Sequence, residues 1–140
     1  MELLEKIHAK IQQDGFITFD EYMDMSLYFP KYGYYNSERT DFHPKNSDFI
    51  TAPELSAIYT NSIVKFYTDS RKYKNIENVL EFGAGSGEMA YNFLKKCNSK
   101  DLPTNYFIIE KNANLIKKQK NNLQKLPKNL FEKINWVDNS

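Results

Sequence analysis

A single cysteine, Cys97, occurs among the 140 residues, so the chain cannot close an internal disulfide on itself. It is most simply a small buried apolar residue on a helix. Histidine is scarce as well: His8 and His43 have no metal-ligand spacing with each other or with Cys97, so no metal site is expected. No apolar run approaches the roughly 20 residues that cross a bilayer. The N-terminus carries Glu2 and Glu5 and no arginine, which does not fit a signal or transit peptide. The expectation is a cytoplasmic protein with no membrane contact. An excess of one charge is missing too. Lys+Arg number 19 against 18 Asp+Glu, a net charge of +1 that makes no case for a nucleic-acid partner. Lysines crowd the last quarter (Lys111, Lys117, Lys118, Lys120, Lys125, Lys128 and Lys133), but without interleaved aromatics they read as a solvated surface.

What is present is globular. Hydrophobic residues make up 41% and aromatics 15%, enough to argue against disorder. Leu3, Leu4, Ile7 and Ile11 recur at helical spacing, with Gly15 where a C-terminal cap belongs. Thr18-Phe19-Asp20-Glu21 has the form of a capping box and opens a second helix that Pro30 ends. Thr51-Ala52-Pro53-Glu54 reads as another helix start, followed by an apolar face of Leu55, Ile58, Tyr59, Ile63, Phe66 and Tyr67. Past the polar run Arg71 to Asn75 the period changes. Asn78–Phe82 and Tyr106–Glu110 read as strands, Ile134–Val137 as a third, and helical patterns around Phe93 and around Leu115 to Leu126 separate them. That order, β-α-β-α-β, predicts an α/β fold with a parallel sheet, preceded by N-terminal helices. The expected division is an N-terminal helical or lid segment over 1–70 and an α/β segment over 71–140.

The chemistry is carried by Glu81-Phe82-Gly83-Ala84-Gly85-Ser86-Gly87, a strand running through three glycines into a helix. Glycines let backbone approach a ligand, and the helix N-terminus beyond offers unpaired N–H groups to a carboxylate or phosphate. The dinucleotide fingerprint G-x-G-x-x-G wants a small residue at 88, and Glu88 stands there, an anion where a pyrophosphate would sit. Glu81, two residues ahead of the first glycine, would also repel pyrophosphate but suits a ligand with an ammonium group. S-adenosylmethionine has one, and a cationic sulfonium besides. Glu110, at the end of the next strand, can accept charge-assisted hydrogen bonds from a ribose diol; its place suits either nucleotide class.

Longer blocks make the chain resemble the MidA-type S-adenosylmethionine-dependent methyltransferases, whose mitochondrial members methylate an arginine on a subunit of respiratory complex I. The first block is Gly15-Phe16-Ile17-Thr18-Phe19-Asp20-Glu21-Tyr22-Met23, with Leu27-Tyr28-Phe29-Pro30 and Gly33-Tyr34-Tyr35 behind it. The second is Asp48-Phe49-Ile50-Thr51-Ala52-Pro53-Glu54-Leu55-Ser56, with Ser47 where the family usually has glycine. The third is Leu80 to Gly87, followed by Tyr106 to Glu110, Gln119 and Trp136-Val137-Asp138.

The resemblance implies the first half of a Rossmann-like class I methyltransferase domain, binding S-adenosyl-L-methionine through Glu81, Gly83, Ala84, Gly85, Gly87 and Glu110. Thr51, Pro53 and Asp138 join these as cofactor neighbours, while the catalytic residues stay unassigned. Tyr34, Tyr35 and the stretch 48–54 read either as a lid or as packing. Family members continue past position 140, so the chain is expected to be a truncated N-terminal half, inactive alone. A second copy or a second polypeptide would complete its sheet. The partner implied is a protein substrate, methylated on arginine. Two alternatives stand beside this: a catalytically inactive cofactor- or protein-binding fragment, and a nucleotide-binding domain of another Rossmann-like class.

Overall fold

A computed structural model describes residues 2–36 and 51–137. Two compact units divide the chain, Met1–Ser47 and Asp48–Ser140.

The first unit contains helices α1 (Leu3–Asp14) and α2 (Phe19–Tyr28). Gly15 ends α1 with φ +82°, its N–H donating to the Ile11 carbonyl at 2.8 Å. The capping box forms at the start of α2. The Thr18 N–H donates to Glu21 Oε2 at 2.9 Å, and the Glu21 N–H returns to Thr18 Oγ1 at 3.5 Å. Lys10 links the two helices, 3.2 Å from Glu21 and 2.7 Å from Asp14. After α2 a 3₁₀ turn, Tyr34–Asn36, folds back on the helix end. Tyr35 stacks on Tyr28 at 5.5 Å between ring centroids, Tyr34 stands edge-on to Tyr35 at 5.1 Å, and the Asn36 amide donates to the Tyr28 carbonyl. These contacts pack Tyr34 and Tyr35 against the end of α2.

In the second unit, α3 (Ala52–Leu55), α4 (Ala57–Arg71) and α5 (Glu88–Lys96) accompany strands β1 (Asn78–Phe82), β2 (Asn105–Ile109) and β3 (Ile134–Val137), with α6 (Ala113–Leu123) and α7 (Lys128–Phe131) between the last two strands. The sheet is parallel in the order β1-β2-β3, as the strand–helix alternation predicts. Glu81 and Val79 share a face with Tyr106, Ile108, Ile134 and Trp136. Tyr106 and Ile108 are wholly buried there with Ala90, Phe93 and Leu94 of α5 and Leu123 of α6. An aromatic run, Tyr67–Phe93–Tyr106, ties α4 through α5 to β2 at centroid distances of 5.2 and 5.6 Å. Arg71 fixes the far end of α4, donating to the Tyr67 hydroxyl and the carbonyls of Asp101 and Leu102 at 3.0–3.1 Å. The other sheet face leaves Leu80 and Phe82 of β1 and Val137 of β3 exposed.

Three details differ from the sequence expectation. The helix expected from Thr51 onward breaks at Ser56, whose extended backbone lets its Oγ cap the Ile58 N–H at 3.1 Å and start α4 afresh. The buried side of α4 carries Thr60 and Tyr67, with Ile63 and Val64 packed against the core, while Leu55, Ile58 and Phe66 are exposed. Apolar residues lie all around this helix, so their spacing could not choose the inward face. Cys97 is buried as expected, but it caps α5 in extended conformation rather than lying within it.

The return of residues 29–36 onto α2 requires glycine at 33. A Cβ there would lie less than 3.0 Å from backbone atoms of Leu27, Tyr28 and Phe29. Gly33→Ala is therefore expected to destabilise the first unit by about 1–3 kcal/mol, because backbone must shift to admit the methyl. Faster limited proteolysis within residues 16–36, with the second unit intact, is the expected readout. Parent-like digestion would show that the approach is not tight.

Candidate functional site

The β1–α5 turn is built from three left-handed residues within five positions: Gly83 at φ +64°, Gly85 at +54° and Gly87 at +82°. Residues with a side chain avoid these angles. The sheet ladder runs into the turn, since the Gly83 N–H donates to the Ile109 carbonyl at 2.9 Å. A second tight bend follows, Gly87 N–H to Ala84 carbonyl at 2.7 Å. The glycines do different work. A Cβ at Gly83 or Gly85 would meet nothing within 4 Å, so these two border open space. At Gly87 it would meet the Leu123 side chain at 3.3 Å and Gln119 Cα at 3.5 Å, so here the missing side chain lets α6 pack onto the turn. Ala84 is buried beneath.

Thr51 and Pro53 lie on the segment that joins this turn. The Ser86 hydroxyl donates to Glu54 Oε1 at 2.9 Å, and the Thr51 N–H reaches Glu54 Oε2 at 3.5 Å. Glu54 thus caps its own short helix and holds the glycine turn across 32 residues of sequence. The sequence marks it as a helix cap within the 48–54 stretch, but not as a partner of Ser86.

Glu110 follows the last residue of β2 and is half-buried, with one protein donor on each carboxylate oxygen. The Asn112 N–H donates to Oε1 at 3.0 Å, and Gln119 Nε2 donates to Oε2 at 3.2 Å. Gln119, wholly buried on α6, also donates to the Gly85 carbonyl at 3.1 Å and accepts from the Trp136 indole at 2.9 Å. One turn on, the Asn122 amide donates to the Ser86 carbonyl at 3.3 Å. Glu110 and the glycine turn are thus brought together by polar groups of α6. Among these the sequence marks Gln119 as part of a helical pattern and of the family resemblance, not as a link between the turn and Glu110. Asp138 lies outside the described residues.

Glu81 is 8% exposed and faces the packed side of the sheet, where the Tyr106 hydroxyl donates to its Oε2 at 2.8 Å. Burial pushes its pKa up to about 7, against the smaller lowering effect of the Tyr106 hydrogen bond. The Tyr106 hydroxyl is itself pushed upward by burial and then by the neighbouring carboxylate. A surface hollow of about 470 Å³, between α4 and the end of α5, is lined by Asn61, Val64, Lys65, Thr68, Asp69, Lys96 and Asn98 and includes no residue of the glycine turn.

A glycine turn of this build, after the first strand of a parallel sheet and beside an acid after the second, coincides with a family signature. Residues 58–140 match the model of a family described as "Putative S-adenosyl-L-methionine-dependent methyltransferase". The chain belongs to this family. Its residues are also similar to the Drosophila melanogaster "Protein arginine methyltransferase NDUFAF7 homolog, mitochondrial", 33% identical over 96 residues. The Xenopus tropicalis "Protein arginine methyltransferase NDUFAF7, mitochondrial" is 32% identical over 97 residues. Each match covers 66% of this chain and 22% of the relative, so the chain spans about a fifth of their length.

Among solved structures, one from Burkholderia thailandensis, described as a "likely methyl transferase" bound to S-adenosyl-homocysteine, superposes with a TM-score of 0.81. It is 28% identical, over 96% of this chain and 36% of that one. A native crystal structure of an uncharacterized protein of the same superfamily and organism gives 0.75, also at 28% identity, covering 96% of this chain and 34% of that one. The fold is therefore that of a Rossmann-like methyltransferase, and the family's cofactor is S-adenosyl-L-methionine. Among the described residues no helix is long and apolar enough to cross a membrane.

Burial of Glu81 has a consequence for stability. Its folded pKa of about 7 lies above the ordinary 4.5, so the folded state holds a proton that the unfolded state releases between those values. Stability from this group is fully present below pH 4.5 and is lost as pH rises to about 7. Glu81→Gln, which keeps an acceptor for Tyr106, should therefore stabilise the fold at pH 8 by on the order of 3 kcal/mol. The gain should vanish toward pH 4.5. Thermal melts of both proteins across that range are the check; a gain that does not change with pH would contradict it.

Proposed function

We propose that this chain supplies the S-adenosyl-L-methionine half-site of a methyltransferase whose acceptor is a protein arginine. The observation that carries the cofactor reading is the open space over Gly83 and Gly85, in a turn that runs into the N-terminus of α5 and that Gln119 ties to Glu110. The donor set fits the cofactor's parts. The first N–H groups of α5 have no partner within the helix and suit the methionine carboxylate. Glu110 retains acceptor capacity on both oxygens for a ribose diol. Glu81 stands two residues ahead of Gly83 with its carboxyl buried against the Tyr106 hydroxyl, and a cationic ligand nearby would favour its ionised form. When bound, the cofactor supplies a methyl group on a cationic sulfur. This chain's residues bind and orient it; Thr51 and Pro53, coupled to the turn through Glu54 and Ser86, border the same site.

The arginine acceptor is supported by the two relatives named as protein arginine methyltransferases. Cells with the gene deleted, compared with their parent by mass spectrometry of methylated peptides, should lose methylarginine from at least one protein. An unchanged methylarginine inventory would argue against that acceptor.

For the cofactor site, calorimetry with S-adenosylhomocysteine is the direct test. Glu110→Ala should weaken binding by about one to two orders of magnitude through the lost ribose hydrogen bonds. Equal affinity would remove Glu110 from the site, and preference for NAD over S-adenosylhomocysteine would overturn the cofactor assignment.

A further inference from the structure

Gln119 is wholly buried, and its amide makes hydrogen bonds to three separate segments. Their identities leave one orientation. The Trp136 indole N–H can only donate, so the amide oxygen must face it. The Gly85 carbonyl and the Glu110 carboxylate can only accept, so the NH₂ must face them, at 3.1 and 3.2 Å. One side chain therefore spans the turn after β1, the acid after β2 and the indole on β3. Gly87 lies against the same helix: a Cβ there would be in tight contact with the Leu123 side chain at 3.3 Å and in ordinary contact with Gln119 Cα at 3.5 Å. A group saturated in this way cannot rotate without leaving a buried polar atom unpaired.

We propose that Gln119 is the positioning residue of the cofactor site, setting the Glu110 carboxylate against the glycine turn so that the ribose-binding acid is pre-organised. This rests on the cofactor reading above. Gln119 would not touch the ribose. It would restrict the rotation of Glu110, so that the ordering of that carboxylate is completed on folding rather than on binding. The Trp136 indole secures Gln119 in turn. Discrimination for a ribose 2′-hydroxyl should then depend on Gln119, although Glu110 is the residue that would contact the diol.

The test compares S-adenosylhomocysteine with its 2′-deoxyribose analogue by calorimetry. The parent should bind the first at least about tenfold more tightly than the second. In Gln119→Met, which keeps side-chain length and removes the hydrogen bonds, that ratio should fall to about two. A purely structural role for Gln119 would weaken both ligands alike and preserve the ratio, and that result would overturn the proposal. Should Gln119→Met fail to fold, Trp136→Phe decides, since it unlocks the amide without emptying the site. A reduced ratio supports the positioning role, and an unchanged ratio overturns it. Failure of the parent to bind S-adenosylhomocysteine at all would overturn the cofactor reading itself, and this proposal with it.

Discussion

Left-handed backbone at Gly83, Gly85 and Gly87 is the constraint on which the rest of the second unit depends. It lets β1 stop at Phe82 and α5 begin at Glu88 with only five residues between them. The ladder hydrogen bond from Gly83 to Ile109 keeps the turn in register with β2, so Glu110 emerges beside it. The third glycine has a packing role: α6 lies against Gly87, which brings Gln119 and Asn122 within reach of the turn's carbonyls. Replacing any of the three with a β-branched residue would force the backbone from these angles. Open space over Gly83 and Gly85 and helix packing at Gly87 are here found in the same five residues.

Glu81 costs the fold stability at neutral pH. An apolar residue on the packed face of β1 would leave no charge to desolvate, whereas burial, partly offset by the Tyr106 hydrogen bond, lifts this carboxyl to about 7. The fold tolerates it by supplying the Tyr106 hydroxyl, which belongs to the same aromatic run that binds α4 and α5 to the sheet.

Local signals in the sequence translated well. The capping box at Thr18, the glycine at the end of α1 and the three parallel strands follow from residues adjacent in the chain, and all form as their chemistry dictates. Signals that depend on tertiary partners did not. The inward face of α4 was ambiguous because Ile58 and Phe66 are as apolar as Ile63 and Tyr67, and only the position of Phe93 decides which side is buried. Ser56 breaks the helix because its own Oγ offers a competing cap, a possibility hidden by a good apolar period. The contacts Glu54–Ser86 and Gln119–Gly85 join residues 32 and 34 positions apart, beyond any local pattern. The division of the chain also falls earlier than the expected boundary at residue 70, so α4 belongs with the unit that contains the sheet.

The chain has only five glycines, Gly15, Gly33, Gly83, Gly85 and Gly87, which makes the central claim directly observable. Protein labelled with nitrogen-15 at glycine alone gives one amide resonance for each, and S-adenosylhomocysteine can be titrated against them with NAD as control. The account predicts that the Gly83, Gly85 and Gly87 resonances move in a saturable way with S-adenosylhomocysteine and stay in place with NAD. Three stationary resonances, or equal shifts with both ligands, would contradict it.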